Sequence, residues 1–442
     1  MNKLYVLIMF CCAGFFVQSQ NFIMPEGVDE IVIPVEVVSN LMILKVNVNG
    51  TDMRFILDSG AIRTTIFNIN GIDSLTVGDG ERTTIKGYGS LEPFEAVNSK
   101  GNIITIKNFI ALDADMYVLT EEQISFVPIL GQEVNGIMGI DFFKNHLIEL
   151  DYSKDQITIA PANDLKLKKE YESSAVLDTD AGKPYIMATA INKGSFQDMS
   201  LLLDTGSGDA LWFFEKSTTF NTPKKGFRDY LGFGLSGDVY GFRSKIDALT
   251  LSDFTFNRIT VAFPESNENR GLINESEVKG SLGGEVLRRF KILMDYAQNR
   301  VYFSRNRSFD DGFYYNMAGL KLREGNKELV TQVQYNYQER DQREARSIKK
   351  INPRNNKTYF YTYNPAILVS YVVPDSPADK ARIKEGDQIL RFNNKEHGRF
   401  SMGEVSQLFY KDPYSTIKLE MKRGEKFYTV KLDLVPIIGD DE

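Results

Sequence analysis

Two blocks of this 442-residue chain recur in the same order a long way apart, and that repetition limits its folds more than any other feature. Met53-Arg54-Phe55-Ile56-Leu57-Asp58-Ser59-Gly60 runs into Thr64-Thr65-Ile66-Phe67, and Met199-Ser200-Leu201-Leu202-Leu203-Asp204-Thr205-Gly206 runs into Ala210-Leu211-Trp212-Phe213. Further on, Gly136-Ile137-Met138-Gly139 is followed by Ile148-Glu149-Leu150-Asp151-Tyr152. Gly280-Ser281-Leu282-Gly283 is likewise followed by Ile292-Leu293-Met294-Asp295-Tyr296. The offset is 146 residues at the first anchor and 144 at the second. A single tripeptide recurs by chance, whereas two ordered anchors at near-equal spacing mark a duplicated unit.

Each unit reads as β-rich. Leu41 to Val48 and Ile186 to Ile191 are apolar or alternating runs that end in Asn-Gly or Lys-Gly turns. The blocks starting at Asp141 and Glu285 predict one short helix each, then a hairpin turned by Asp-Tyr-Ser-Lys-Asp or Asp-Tyr-Ala-Gln-Asn. The charged stretch from Pro161 to Ser174 predicts a linker between the units.

Composition narrows the chemistry. There are 2 His, and both cysteines, Cys11 and Cys12, lie in the N-terminal segment, so His-based metal sites and Ser-His-Asp triads are poorly supplied. With 59 Asp and Glu, carboxylate chemistry is the better-stocked option. A net charge of −7 supplies no basic face for nucleic acid. No metal or organic cofactor is expected.

Asp58 and Asp204 each end a buried apolar run, where a carboxylate is costly unless hydrogen-bonded or paired. The following Ser59 or Thr205 can bond inward, and Gly60 or Gly206 lets the backbone turn tightly around the carboxylate. A two-fold duplication brings the two loops together at its axis. Carboxylates that close resist simultaneous ionisation, so one pKa rises and the other falls. Such a pair can take a proton from water and give one to a carbonyl.

These residues resemble the aspartic peptidases, pepsin-like in having two lobes in one chain and retropepsin-like in lobe size. The resemblance covers roughly residues 29–306, with lobes at 29–162 and 172–306. It implies a mainly β fold of two tandem retropepsin-like β-barrel lobes around a pseudo-two-fold cleft. Asp58 and Asp204 would be catalytic, and Ser59, Gly60, Thr205 and Gly206 would support the active-site loops. Tyr88-Gly89 would be the tip of a flap over the cleft. Gly232 to Gly241 is the corresponding stretch of the second unit. Ser281 and Ala61-Ile62 depart from the family pattern. Because both halves carry an Asp loop, one chain should complete one site, as a monomer.

From about residue 313 to 437 the pattern changes. Val369 to Val373, Ser376-Pro377-Ala378 and Lys384-Glu385-Gly386-Asp387 lead into Gln388 to Asn393, and two further strands flank Arg423-Gly424-Glu425. This succession resembles a PDZ domain of the bacterial, permuted form. The resemblance implies that Gly319 and Leu320 belong to the turn whose N–H groups receive a C-terminal peptide carboxylate. Arg382 stands where relatives carry Gly, and a polar insertion from about Tyr335 to Asn364 is expected to interrupt the strand order. At the other end, residues 1–20 combine Lys3, an apolar run from Leu4 to Val17 and Gln-Ser-Gln, the pattern of a secretory signal. The resulting expectation is an exported, periplasmic or extracellular aspartic endopeptidase whose PDZ module positions peptide or protein substrates. The alternative is a non-catalytic peptide-binding protein on the same scaffold.

Overall fold

The two repeats build two sheets of matching strand order. The computed structural model describes residues 22–69, 72–85, 94–120, 130, 132–162, 170–179, 182–214, 223–234, 237–265, 278–335 and 357–439. The N-terminal 1–20 segment, with Cys11 and Cys12, and the expected flap tip Tyr88-Gly89 lie outside the described residues. The first repeat holds β1 (Phe22–Ile23), β2 (Ile31–Pro34), β3 (Glu36–Val38), β4 (Leu41–Val48), β5 (Thr51–Leu57), β6 (Thr65–Ile66), β7 (Gly80–Ile85), β8 (Phe94–Ile106), β9 (Phe109–Leu119), β10 (Gly136–Met138), β11 (His146–Asp151) and β12 (Gln156–Pro161). The second holds β13 (Ser173–Val176), β14 (Tyr185–Asn192), β15 (Ser195–Leu203), β16 (Leu211–Phe213), β17 (Phe227–Gly234), β18 (Gly237–Lys245), β19 (Ala248–Leu251), β20 (Phe254–Asn257), β21 (Thr260–Pro264), β22 (Val278–Leu282), helix α1 (Gly284–Leu287), β23 (Phe290–Asp295) and β24 (Arg300–Arg305).

The first sheet contains the run β9-β6-β10-β5-β4-β8, and the second contains β21-β16-β22-β15-β14-β19. Strand for strand these correspond. In each sheet the strand that ends in Asp lies parallel to the strand carrying the Gly element, with Ile137 opposite Ile56 and Ser281 opposite Leu202. The two expected short helices are the 3-10 turn Ile140–Phe142 and α1.

The halves are joined by a six-stranded sheet ordered β13-β24-β23-β11-β12-β2. Its centre is the antiparallel pair β11–β23, Ile148 opposite Met294 and Leu150 opposite Ile292, so the sheet repeats itself about a two-fold axis between these strands. One hydrophobic cluster runs through both halves, from Phe22 to Phe313, including Phe55, Leu57, Ile148, Leu203 and Met294. The predicted linker is corrected at its end. Ser173 and Ser174 belong to β13 and pair with Phe303 and Tyr302, because the joining sheet needs an outer strand on that side to match β2.

The fourth sheet is ordered β25-β26-β27-β29-β30, from β25 (Leu320–Tyr335), β26 (Lys357–Val372), β27 (Gln388–Phe392), β28 (Lys395–Glu396, paired to β27), β29 (Thr416–Arg423) and β30 (Lys426–Asp433). It has its own core, from Met317 to Leu434, closed by helices α2 (Pro377–Lys380) and α3 (Met402–Leu408). Both helices start as capping chemistry requires. Ser376 accepts from Asp379 N–H with Pro377 behind it, and Ser401 and Glu404 form a capping box. Arg382 adopts φ 61°, the left-handed conformation that explains why glycine suits this position. The expected interruption of the strands is corrected. Lys357 to Asn364 continue β26 and pair with Glu328 to Tyr335, so this part of the insertion lengthens a hairpin. Alternating tyrosines there favour an extended strand over a polar loop. Among the described residues no helix is long and apolar enough to cross a membrane.

Candidate functional site

Asp58 and Asp204 come together because each caps the central strand of its own sheet. Asp58 N–H donates to Met138 O and Asp204 N–H to Leu282 O, both at 2.9 Å, so each Asp loop is clamped to the Gly-element strand beside it. The strand ends are then cross-braced between lobes. Ser59 N–H donates to Thr205 Oγ1 (2.9 Å) and Thr205 N–H to Ser59 Oγ (3.1 Å). Ser59 Oγ in turn donates to Leu203 O (2.5 Å) and Thr205 Oγ1 to Leu57 O (2.8 Å). Both hydroxyl side chains are fully buried, so these bonds are shielded from competing water.

The glycines fix how near the carboxylates come. A methyl group on Gly206 would stand 2.6 Å from both Asp58 oxygens, and one on Gly60 would touch Asp58 Oδ1 and Asp204 Oδ1 at 3.1 and 3.4 Å. Each carboxylate is thus packed against the opposite loop's glycine. Gly60 N–H donates to Asp58 Oδ1 (2.7 Å) and Gly206 N–H to Asp204 Oδ1 (3.0 Å). Gly139 and Gly283 do different work. A Cβ on either would strike loop backbone, within 2.9 Å of Ala61 O or Ser207 O.

Desolvation raises both aspartates above the usual carboxylate range. For Asp204 the neighbouring Asp58 charge adds to this and pushes it up to about 7. The Gly60 and Gly206 N–H groups and the Lys183 ammonium act in the opposite sense. Two carboxylates that both resist ionisation can share one proton, and a pair holding one can take a proton from water and give one to a carbonyl.

The dyad opens into a cleft of about 1560 Å³. Its walls include Ile62, Ile85, Trp212, Tyr230, Val239 and Tyr240. The β17–β18 hairpin, which contains the Gly232–Gly241 stretch, continues the second lobe's sheet beyond β21 and packs Leu231 and Val239 on Ala262. Leu235 and Ser236 at its tip are outside the described residues. The first-lobe counterpart is the β7–β8 hairpin, in which Ile85 pairs with Phe94.

Sequence reasoning missed three parts of the site. Lys183 lies in the cleft wall; Leu203 N–H bonds the adjacent Pro184 O, which holds this segment beside the Asp204 strand. Tyr152 is buried below the cleft, its hydroxyl without a hydrogen-bond partner among the described residues, and burial followed by the Asp204 charge raises its pKa. The third part is ionic. Buried Arg243 donates from Nη1 to Asp209 Oδ1 (2.9 Å) and from Nε to Asp229 Oδ2 (2.8 Å). Trp212 Nε1 donates to Asp209 Oδ2 (2.7 Å), and Lys321 Nζ lies 3.9 Å from Asp229 Oδ1. Asp209, five residues past Asp204, was the one available sequence signal for this network.

Lys321 belongs to β25, so the fourth sheet reaches the cleft. Leu320, Lys321, Leu322, Tyr371, Met402 and Tyr410 line the same cavity as the dyad. The expected carboxylate turn is only partly open. Gly319, at φ 72°, has its N–H bonded to Asn316 Oδ1 (2.9 Å), and Asn316 Nδ2 donates to Leu320 O (2.7 Å). Among the described residues no three His, Cys, Asp or Glu side chains gather as a metal site would require.

Comparison with known proteins bears on the C-terminal part. Residues 343–434 match the model of the PDZ domain family. A 71-residue stretch is 35% identical to the 26S proteasome non-ATPase regulatory subunit 9 of Drosophila melanogaster, covering 16% of this chain and 30% of that protein. The PDZ match begins inside the segment that joins β25 to β26, while the structure adds β25 and the Met317–Leu322 turn to the same core. The chain is mainly β and carries a PDZ domain at its C-terminal end, a module whose groove and edge strand are suited to binding peptide or protein segments.

Proposed function

We propose that the chain is an aspartic endopeptidase, built as two retropepsin-like lobes, which hydrolyses peptide bonds with water activated between Asp58 and Asp204. The observation that supports this reading best is the reciprocal bracing of Ser59 and Thr205 beneath two carboxylates with raised pKa values. An ionised member of the pair takes a proton from water as its oxygen attacks the scissile carbonyl carbon. The protonated member gives its proton to the carbonyl oxygen. In the second half the newly protonated carboxyl gives its proton to the leaving nitrogen while the other carboxylate takes one from a hydroxyl of the tetrahedral intermediate as the C–N bond breaks, so the dyad ends with the single proton it began with. Lys183 biases the pair toward retaining negative charge.

The substrate lies extended in the cleft between the two lobes. One chain carries both aspartates, so the active unit is the monomer. The N-terminal 1–20 segment directs export to the periplasm or the extracellular space. The PDZ groove binds substrate C-terminal segments.

The test is incubation of the protein with a mixed peptide library from pH 3 to 8, with products read by mass spectrometry. Internal cleavage that disappears in both Asp58→Asn and Asp204→Asn supports the peptidase. Peptide binding without cleavage at any pH would instead establish the binding-protein alternative, which the PDZ match favours on its own.

A further inference from the structure

Two cross-strand pairs meet at the boundary between the second lobe and the PDZ domain. On the β17–β18 hairpin Tyr230 stands opposite Tyr240, their rings packed edge to face with centres 5.5 Å apart. On the PDZ sheet Lys321 of β25 stands opposite Tyr371 of β26. Lys321 joins the two pairs: its Nζ lies 4.7 Å from the Tyr230 ring centre and 5.7 Å from that of Tyr371. The result is a continuous strip of three rings with one lysine among them, and all four residues line the cavity that holds Asp58 and Asp204. Leu320 and Leu322, on either side of Lys321, are buried in the PDZ core, so alternation turns Lys321 the other way, toward the lobe. The strip is thus on the outer face of the PDZ sheet.

The two halves of the strip are held together by contacts outside it. Tyr315, just before the PDZ core, donates to Ser244 O and Val261 O on the second lobe (2.6 and 3.0 Å) and lies under Arg243. Lys245 stands over the Tyr314 ring, and beyond β30 Gly439 O accepts from Arg258 Nη2 (2.8 Å). A ligand therefore meets rings already assembled, which spares the cost of ordering them. Tyr240 and Tyr371, at the two ends, are 41% and 46% exposed, so ring surface is open to the cleft. Both cations beside the rings are paired, Lys321 with Asp229 (3.9 Å) and Arg228, over Tyr240, with Glu265 (2.6 Å). What the strip offers is aromatic surface rather than charge. At about 1560 Å³ the cavity exceeds the roughly 300–1,000 Å³ of a small-molecule pocket, so an occupant that fills it from dyad to strip is a polymer.

We propose that the PDZ domain forms part of the cleft wall through this outer face, and that the Tyr240–Tyr230–Lys321–Tyr371 strip takes an aromatic or large aliphatic side chain of an extended polypeptide lying across Asp58 and Asp204. Rigid tyrosine rings bind such side chains at little entropic cost. Substrates are then chosen by an apolar residue at a set distance from the dyad, wherever the chain ends. Cleavage rests on the peptidase reading; binding at the strip does not.

The experiment uses the full-length Asp58→Asn variant and labelled peptides in which a single Phe is moved along an otherwise Ala-Ser sequence. All are amidated, which keeps a free carboxyl end out of the measurement. Fluorescence anisotropy should find a position at which Phe raises affinity about fivefold or more over Ala. Adding Tyr371→Ala should abolish that gain and Tyr371→Phe should keep it, because the ring and not its hydroxyl makes the contact. With the wild-type dyad, cuts should fall at a constant distance from the Phe. Affinity indifferent to the position of Phe, or a gain that survives Tyr371→Ala, would overturn the proposal. So would a dimer in sedimentation that Tyr371→Ala dissociates, since a second copy would then cover the strip. If the Tyr371-dependent gain holds but the wild type cuts nothing, the peptidase reading fails and the strip stands. If peptides are bound and cut alike with and without the Tyr371 ring, the strip proposal fails and the peptidase stands.

Discussion

The two halves solve one mechanical problem with opposite charges. Each must tie the loop after its aspartate to the neighbouring hairpin. In the first half the loop supplies a cation: Arg63, five residues past Asp58, donates to Asn98 Oδ1 (2.8 Å) on β8, lies 4.0 Å from Asp115 and stands over the Tyr117 ring. In the second half the loop supplies the anion, Asp209, and the hairpin supplies Arg243. The register makes the positions equivalent, since Asn98 and Arg243 both pair across to the strand that lies parallel to β6 or β16. The difference lies in reach. The first link stays within its lobe, whereas the second passes through Asp229 to Lys321 of the PDZ domain. Duplication preserved the brace and left its chemistry free to recruit a third domain.

The comparison breaks first at the dyad, if it breaks at all. Asp58→Asn and Asp204→Asn should each lower peptide cleavage by about 10³-fold or more, despite their different surroundings, because each removes a proton-transfer partner. Turnover near wild type in one variant only would show that the halves are not chemically joined.

Stability offers the next test. Arg243→Met leaves Asp209 and Asp229 about a quarter exposed and deprived of a nearly buried cation, which should cost roughly 3 kcal/mol in chemical denaturation. Arg63→Met, at a side chain 29% exposed, should cost about 1 kcal/mol or less. Equal losses would remove the distinction between a local link and one that reaches the third domain.

A third test uses pH. Asp204 binds its proton more tightly folded than unfolded, so folding stability falls as pH rises from about 4 to about 7. Asp204→Asn should therefore be more stable than wild type at pH 8, on the order of 2 kcal/mol, and nearly equal to it at pH 4. A variant less stable than wild type at pH 8 would contradict the raised pKa.

The smallest effect is expected at Lys183. Its ammonium lowers both carboxylates, so Lys183→Met should move the alkaline limb of the cleavage profile upward by roughly one pH unit or less. The strand register puts Leu41 at the matching place in the first half, so that half supplies no such charge.

How far the sequence could be read depended on whether a feature was repeated. The Asp loops, Gly elements and short helices were legible because each occurs twice at one spacing. The joining sheet was only half legible: β11 and β23 lie in repeated blocks, but β13 sits behind a Lys-rich stretch whose composition says linker. Lys183 and Arg243 were invisible for another reason. Each acts on a partner distant in sequence, and a lone cation in a strand or turn has no periodic signature. In the fourth sheet, charge in the middle of the insertion hid the strand-forming tyrosines at its end. Asn316, which occupies the Gly319 N–H, gave no local clue.

The pairing of β11 with β23 also has a consequence for the chain as it is made. Ile148 must wait for Met294, 146 residues later, before that edge is closed. At about 5–20 residues per second the ribosome leaves it open for roughly 7–30 s. During that interval a nascent first half displays an apolar strand of the shape its own duplicate will fill, and another nascent copy offers the same edge. Two such halves can pair as the finished halves do. Crowded polysomes would therefore favour exchange between neighbouring chains, and a holdase that shields β11 until β23 emerges would raise the yield of correctly closed molecules.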